Sequence, residues 1–143
     1  MREILFRGKR TDNGEWVYGV PTKDARNETV IVESVFECDE YSCRGAYCFY
    51  VDENTIGQYT GLTDKNGKKI FEGDIVLDHF TSQKGIVTFC QGTFDSGIYK
   101  YNGWVCKGFD GTVDFRELVF YEDIDCEVIG NIHDNPELLK GEE

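Results

Sequence analysis

Apolar and polar residues alternate along much of this chain with a period of two, in short runs separated by turn residues. Glu15–Val20 sets Trp16, Tyr18 and Val20 against Glu15, Val17 and Gly19, the pattern of a half-buried strand. Ile4–Arg7 is a short apolar strand, Thr29–Phe36 is rich in β-branched residues, and Ala46–Val51 is aromatic; all three read as strands. Ile75–Leu77, Ile86–Cys90, Ile98–Tyr101, Trp104–Cys106, Leu118–Tyr121 and Glu127–Asn131 continue the series. Between them lie Asp12-Asn13-Gly14, the polar stretch Asp24–Glu28, Lys65-Asn66-Gly67-Lys68 and Glu72-Gly73-Asp74. Asn-Gly supplies the positive φ that tight hairpin turns require. Near the end, Asp134-Asn135-Pro136-Glu137-Leu138-Leu139 predicts one helical turn, with Asn135 as cap and Pro136 at the first helical position. Leu138 and Leu139 would plug the domain.

The pattern predicts a mainly β protein, a small barrel or sandwich. The chain has 143 residues, enough for one domain or a small domain with an appendage, and its 40% hydrophobic content suits a packed core. Sixteen glycines against two prolines fit tight turns between strands and not extended linkers.

Charge adds an asymmetry. Residues 1–70 hold 10 basic and 12 acidic residues, a net of −2, whereas residues 71–143 hold 5 and 15, a net of −10. The first ten residues, with Arg2, Arg7, Lys9 and Arg10 against Glu3, carry +3. An acidic field repels phosphate, so direct nucleic-acid binding is not expected. The asymmetry suggests a homo-oligomer, in which the basic strand at the start of one copy, with Leu5 and Phe6, adds to a sheet edge of another. The alternative is that this arm folds back on its own chain. An acidic surface also suits a basic partner. No apolar run is long enough for an export signal or a membrane span, so a cytoplasmic location with reduced thiols is expected.

Candidate chemistry is sparse. Cys38, Cys43 and Cys48 are evenly spaced, but zinc sites usually set cysteine pairs two to four residues apart, and positions five apart on one strand face opposite sides. Cys90, Cys106 and Cys126 read as small core residues. His79 follows Asp78 and His133 precedes Asp134, with no nucleophile elbow or zinc-protease motif beside either. Glu122, Asp123, Asp125 and Glu127, with Asp110, Asp114 and Glu117 upstream, are the strongest candidates for a cation, yet lack the form of a calcium loop. They read equally as a solvated acidic edge. Tyr47, Phe49, Tyr50 and Tyr59 near Arg44 could stack bases, or pack in a core or interface. Gly8 beside Arg7 and Lys9, or Gly57 with Gly61, makes no phosphate loop. No catalytic, cofactor-binding or metal residue is assigned, and no enzyme is expected.

The block TIGQYTGLTDKNGKKIFEGDIV, Thr55 to Val76, resembles the YopX family of phage and prophage proteins. FRGKRTDNGEWVYG, FYVDENTIGQYTGL and EVIGNIHDNPELL extend the resemblance over most of the chain, in the family's order; Glu33–Tyr47 looks like a variable insertion. The resemblance implies a phage-encoded protein in a bacterial host and an SH3-like barrel starting near Gly73. It brings no activity and no catalytic residues. Together with the strand pattern it predicts an N-terminal β region, residues 1–61, followed by an SH3-like barrel, residues 62–143, with a short C-terminal helix. The matched positions Gly57, Gly61, Asn66-Gly67, Gly73-Asp74 and Gly130-Asn131 read as turn and core positions, a pattern that specifies a shape. The function expected is that of a homo-oligomeric interaction module. The partner expected besides a second copy is a basic host or phage protein; the alternatives are an acidic inhibitor or nucleic-acid mimic that occupies a basic host protein, and a metal-dependent hydrolase using the Asp110–Glu127 carboxylates.

Overall fold

A computed structural model describes residues 3–38, 40–41, 43–79, 82–94, 99–107, 116–117 and 126–139, without the side chains of 34–38, 43–46, 91–94, 99–102 and 116–117. The expected strand Leu118–Tyr121 and the carboxylates Asp110, Asp114, Glu122, Asp123 and Asp125 lie outside the described residues, as does the side chain of Glu117. The fold is mainly β, and the chain divides into two compact units, Met1–Tyr59 and Thr60–Glu143.

The N-terminal unit contains β1 (Phe6–Arg10), β2 (Trp16–Lys23), β3 (Thr29–Cys38) and most of β4 (Cys43–Thr63), which runs on into the second unit. All pairings are antiparallel, and they form a circuit: β1 with β2, β2 with β3, β3 with β4, β4 with β1. β2 changes partner halfway, its Trp16–Gly19 half lying along β1 and its Val20–Lys23 half along β3. The inward face buries Val17, Ile31 and Val51, with Phe49 and Ile56 packed against them. Gly19 sits at the change of partner because a Cβ there would overlap the carbonyl of Val32. The N-terminal segment is therefore not a free arm. β1 has a neighbour on each edge, and the Tyr59 amide donates to the Leu5 carbonyl at 2.8 Å. This corrects the expectation that β1 is available to a second copy, because its hydrogen-bonding edges are already used.

The C-terminal unit contains β5 (Lys69–Phe71), β6 (Asp74–Asp78), β7 (Gln83–Phe94), β8 (Tyr99–Lys107), β9 (Arg116–Glu117) and β10 (Cys126–Asn131). The end of β4 pairs with β5, and the other five form a sheet in the order β10-β6-β7-β8-β9. Ile70, Val76, Val87, Trp104, Cys126 and Val128 form the core, with Leu62 and Cys106 against it. Among the described pairings this sheet does not close, so the SH3-like barrel goes beyond what they establish. The two strands expected at Ile98–Tyr101 and Trp104–Cys106 are one. Asn102-Gly103 does not interrupt it, because β7 supplies a continuous partner, Gln91 to Asn102 and Cys90 to Gly103.

The expected terminal helix is a single 3-10 turn, Pro136–Leu139, with no buried residue; Leu138 and Leu139 are half-buried. The Asn135 side chain explains the change: its Oδ1 accepts the Asn131 amide at 3.2 Å, so the expected cap is committed to the end of β10. Gly130 is glycine for the same reason, since a Cβ there would meet the Asn135 carboxamide.

Gly73 behaves as its place between Glu72 and Asp74 predicts. Its φ is +88°, and a Cβ would have room, the nearest atom being Ile132 Cγ1 at 3.6 Å. The restriction is thus conformational and not spatial. Gly73→Val is expected to lower stability by about 1–3 kcal/mol and Gly73→Asn by less, because Asn tolerates positive φ. Equal melting temperatures for wild type and Gly73→Val would contradict this.

Candidate functional site

Polar residues of the Thr55–Val76 block and of the terminal segment are engaged in holding strands and turns. Between Asp52 and Gly57, β4 leaves its register with β1. Thr55, 8% exposed, fills the gap: its Oγ1 accepts the Lys9 amide at 2.8 Å and donates to the Asp52 carbonyl at 2.6 Å. Thr60 repeats the device where β4 meets β5, donating to the Ile70 carbonyl at 2.8 Å and accepting the Leu62 amide at 3.2 Å. A buried backbone group without a partner costs free energy, so Thr55→Val is expected to destabilise by about 1–2 kcal/mol while Thr55→Ser stays near wild type. Urea midpoints of the two variants check this.

Two hairpin loops are built alike around an aspartate. Asp64 Oδ1 accepts the Asn66 and Lys68 amides, each at 2.9 Å. Asp24 Oδ1 likewise accepts the Arg26 and Glu28 amides at 2.8 and 2.9 Å. The second carboxylate oxygens differ. Asp64 Oδ2 accepts the Val128 amide at 3.0 Å while the Lys65 amide donates to the Cys126 carbonyl at 3.0 Å, so this loop covers the free edge of β10. Asp24 Oδ2 instead accepts the Tyr50 hydroxyl at 2.9 Å.

The Gly73 turn is held in the same way. Asp74 is 1% exposed, and its Oδ2 accepts the Phe71 amide at 2.8 Å. The Ile132 amide donates to the Gly73 carbonyl at 3.0 Å, which brings the terminal motif onto the turn. Asn131 Oδ1 accepts the amides of His133 and Asp134 at 3.0 and 2.9 Å. Glu72, half-buried beside this turn, has its carboxyl pushed up by burial.

Among the described residues the sequence candidates for chemistry do not assemble. His79 Nε2 lies 3.0 Å from Glu127 Oε2 in a half-exposed pair, and the His133 ring lies by Gly73 instead. Cys126 is buried in the core, Cys106 packs against it, Cys90 is half-buried outside that cluster, and Cys48 is exposed. Among the described residues no group of three or more His, Cys, Asp and Glu could hold a metal. The aromatic group disperses: Phe49 turns to the core with the Arg10 guanidinium over its ring at 4.5 Å, and Tyr59 is buried. Tyr50 is exposed and bound to Asp24 and Arg26. Arg44 is the register partner of Glu37, and its side chain is outside the description.

Two arrangements stand out that sequence reasoning missed. Arg7, buried in the unit, and Lys9 both stack on Trp16, at 4.6 and 5.7 Å from the ring centre. Beside them runs an outward apolar row. Val20, Val32 and Cys48 are register partners across β2, β3 and β4, and directly opposed residues share a face. Tyr18 and Tyr50 flank the row at 43% exposure each, Val20 is 53% exposed, and Cys48 is exposed as well. The signal in the sequence was Trp16/Tyr18/Val20, where the apolar half of the alternation is the outer half.

Arg26, which donates to the Tyr50 hydroxyl, is matched within the chain to Glu28 at 3.4 Å. The row thus offers apolar contact. No described helix is long and apolar enough to cross a membrane.

Comparison with known proteins places this architecture. No curated protein matches the chain. The crystal structure of protein EF1440 from Enterococcus faecalis is similar in fold, with a TM-score of 0.61 at 24% identity, covering 98% of this chain and 100% of that one. The family described as YopX protein matches residues 5–140, a span holding Thr55, Thr60, Asp64, Gly73, Asp74, Asn131 and Asn135. The chain belongs to the YopX family.

Proposed function

We propose that this protein is a non-enzymatic, homo-oligomeric interaction module serving an accessory role in phage or prophage biology. The observation that carries the reading is the outward Val20–Val32–Cys48 row with Tyr18 and Tyr50, of which all but the half-buried Val32 are exposed. Tyrosines and valines gathered on one outward sheet face suit a contact surface, and such patches on soluble proteins mark association sites. The motif residues support it from the other side: their side chains are engaged in hydrogen bonds that hold strands and turns.

Sedimentation velocity at tens of micromolar tests the proposal. The wild type should sediment as an oligomer, and Val20→Glu, which places a charge in the row, should sediment as a monomer with an unchanged melting temperature. A monomeric wild type would overturn the reading.

A second reading rests on charge. Residues 60–143 hold 8 basic and 16 acidic residues, a net of −8, which suits an inhibitor of a basic protein. Its mark would be a host partner whose binding weakens steeply between low and physiological salt.

A further inference from the structure

β2 accompanies β3 only over Thr29–Val32; beyond that point the described pairing of β3 is with β4 alone, from Ser34 opposite Tyr47 to Cys38 opposite Cys43. The hairpin therefore continues as a two-stranded ribbon. Such a ribbon is only marginally stable by itself in water.

The two cysteines close this ribbon. They are register partners. Directly opposed residues of an antiparallel pair share a face and have Cα atoms about 4.5–5.5 Å apart, whichever kind of pair they form. A disulfide spans Cα separations of about 4.4–6.8 Å. The sequence spacing of five suggested residues on opposite faces of one strand, but the two lie on different strands. Cys48 is on the same strand as Cys43 and opposite Val32, about 16 Å along the chain from Cys43 at strand rise. Cys126 is buried in the other unit.

We propose that Cys38 and Cys43 form a reversible intramolecular disulfide that staples the β3–β4 ribbon, made by exchange with a low-molecular-weight disulfide such as glutathione disulfide. One cysteine thiolate attacks the small disulfide, forms a mixed disulfide and releases one glutathione thiolate. The second cysteine thiolate attacks the protein sulfur of that mixed disulfide and releases the other. The two protein thiols are oxidised by two electrons, the small disulfide is reduced to two thiols, and the two protons pass to them. In a reducing cytoplasm the pair stays open, and under oxidation the ribbon is locked. This proposal stands apart from the association reading.

The test is equilibration of the full-length protein in glutathione redox buffers, followed by alkylation, tryptic digestion and mass analysis. Cleavage after Arg26 and Arg44 leaves both cysteines in one peptide, residues 27–44. That peptide should become lighter by about 2 Da, without alkylation, as the buffer is made more oxidising, in wild type and in Cys48→Ser alike. The oxidation constant should be at least about tenfold larger in native protein than in guanidinium chloride, equivalent to about 30 mV, because the register holds the pair together. Two alkylated thiols in that peptide at every poise would overturn the proposal, as would a persistent glutathione adduct or a link to Cys48. Equal constants in native and denatured protein would overturn the claim that the register places the pair.

Discussion

Gly19→Ala is expected to unfold the N-terminal unit. Gly19 lies in β2 where the strand leaves β1 for β3, and an added Cβ would overlap the Val32 carbonyl and crowd Ile31 Cγ2 at 3.0 Å. The obstacle is backbone, and that backbone carries the register of β3 against β2. A flexible side chain could swing aside, but here two strands must separate. Ordinary overpacking costs about 1–3 kcal/mol, and a forced change in strand pairing lies above that, about 3–5 kcal/mol. A domain has about 5–15 kcal/mol in total, so the unit would be left marginal. Hydrogen exchange should show lost protection in the strands before Tyr59 and retained protection in β6, β7 and β10. Wild-type protection throughout β1–β4 would show that the close approach is absent.

Asp64→Ala should be the second large loss, about 2–4 kcal/mol, and should fall on the other unit. The side chain is 6% exposed and accepts three backbone amides, from Asn66, Lys68 and Val128. Without it the loop loses its internal ties and β10 loses part of its edge cover. Burial pushes the Asp64 carboxyl up, but the amides of Val128, Lys68 and Asn66 outweigh burial and hold it below the ordinary aspartate value. The sign follows from that depression. The stabilisation is complete above about pH 4, the unfolded value, and is lost as the pH falls through the lower, folded value. Asp64→Asn keeps an oxygen for the loop but offers no carboxylate to Val128, so it should lose less and should flatten the acid limb of stability against pH. An acid limb identical to wild type would contradict this assignment.

Much of the strand pattern was legible because period-two alternation and Asn-Gly turns are local signals. Gly14 and Gly67 do adopt positive φ, at +74° and +81°. The terminal helix was misread because Asn135 has two possible partners, and the choice depends on where β10 ends. The closed circuit of β1–β4 was not legible, since the β1–β4 pairing joins residues more than forty apart in sequence. Asp64 directly precedes the Lys65–Lys68 turn, and nothing local indicates that its second oxygen meets Val128. The apolar row was hidden for another reason. Alternation says which residues share a face but not which face is inward, and in β2 the core takes Val17 and Gly19 while the larger Trp16, Tyr18 and Val20 face outward.

The central claim is that polar side chains of the Thr55–Val76 block hold the fold together. Four amides test it directly, because in each case a side-chain oxygen accepts the hydrogen bond: Lys9 to Thr55, Leu62 to Thr60, Phe71 to Asp74 and Val128 to Asp64. Native-state hydrogen exchange measures how tightly each is held. The account predicts that all four exchange as slowly as the strand amides around them, near the limit set by unfolding of their own unit. Exchange of these amides as fast as that of Arg26 and Asn54, whose hydrogen bonds to side chains are exposed, would contradict it.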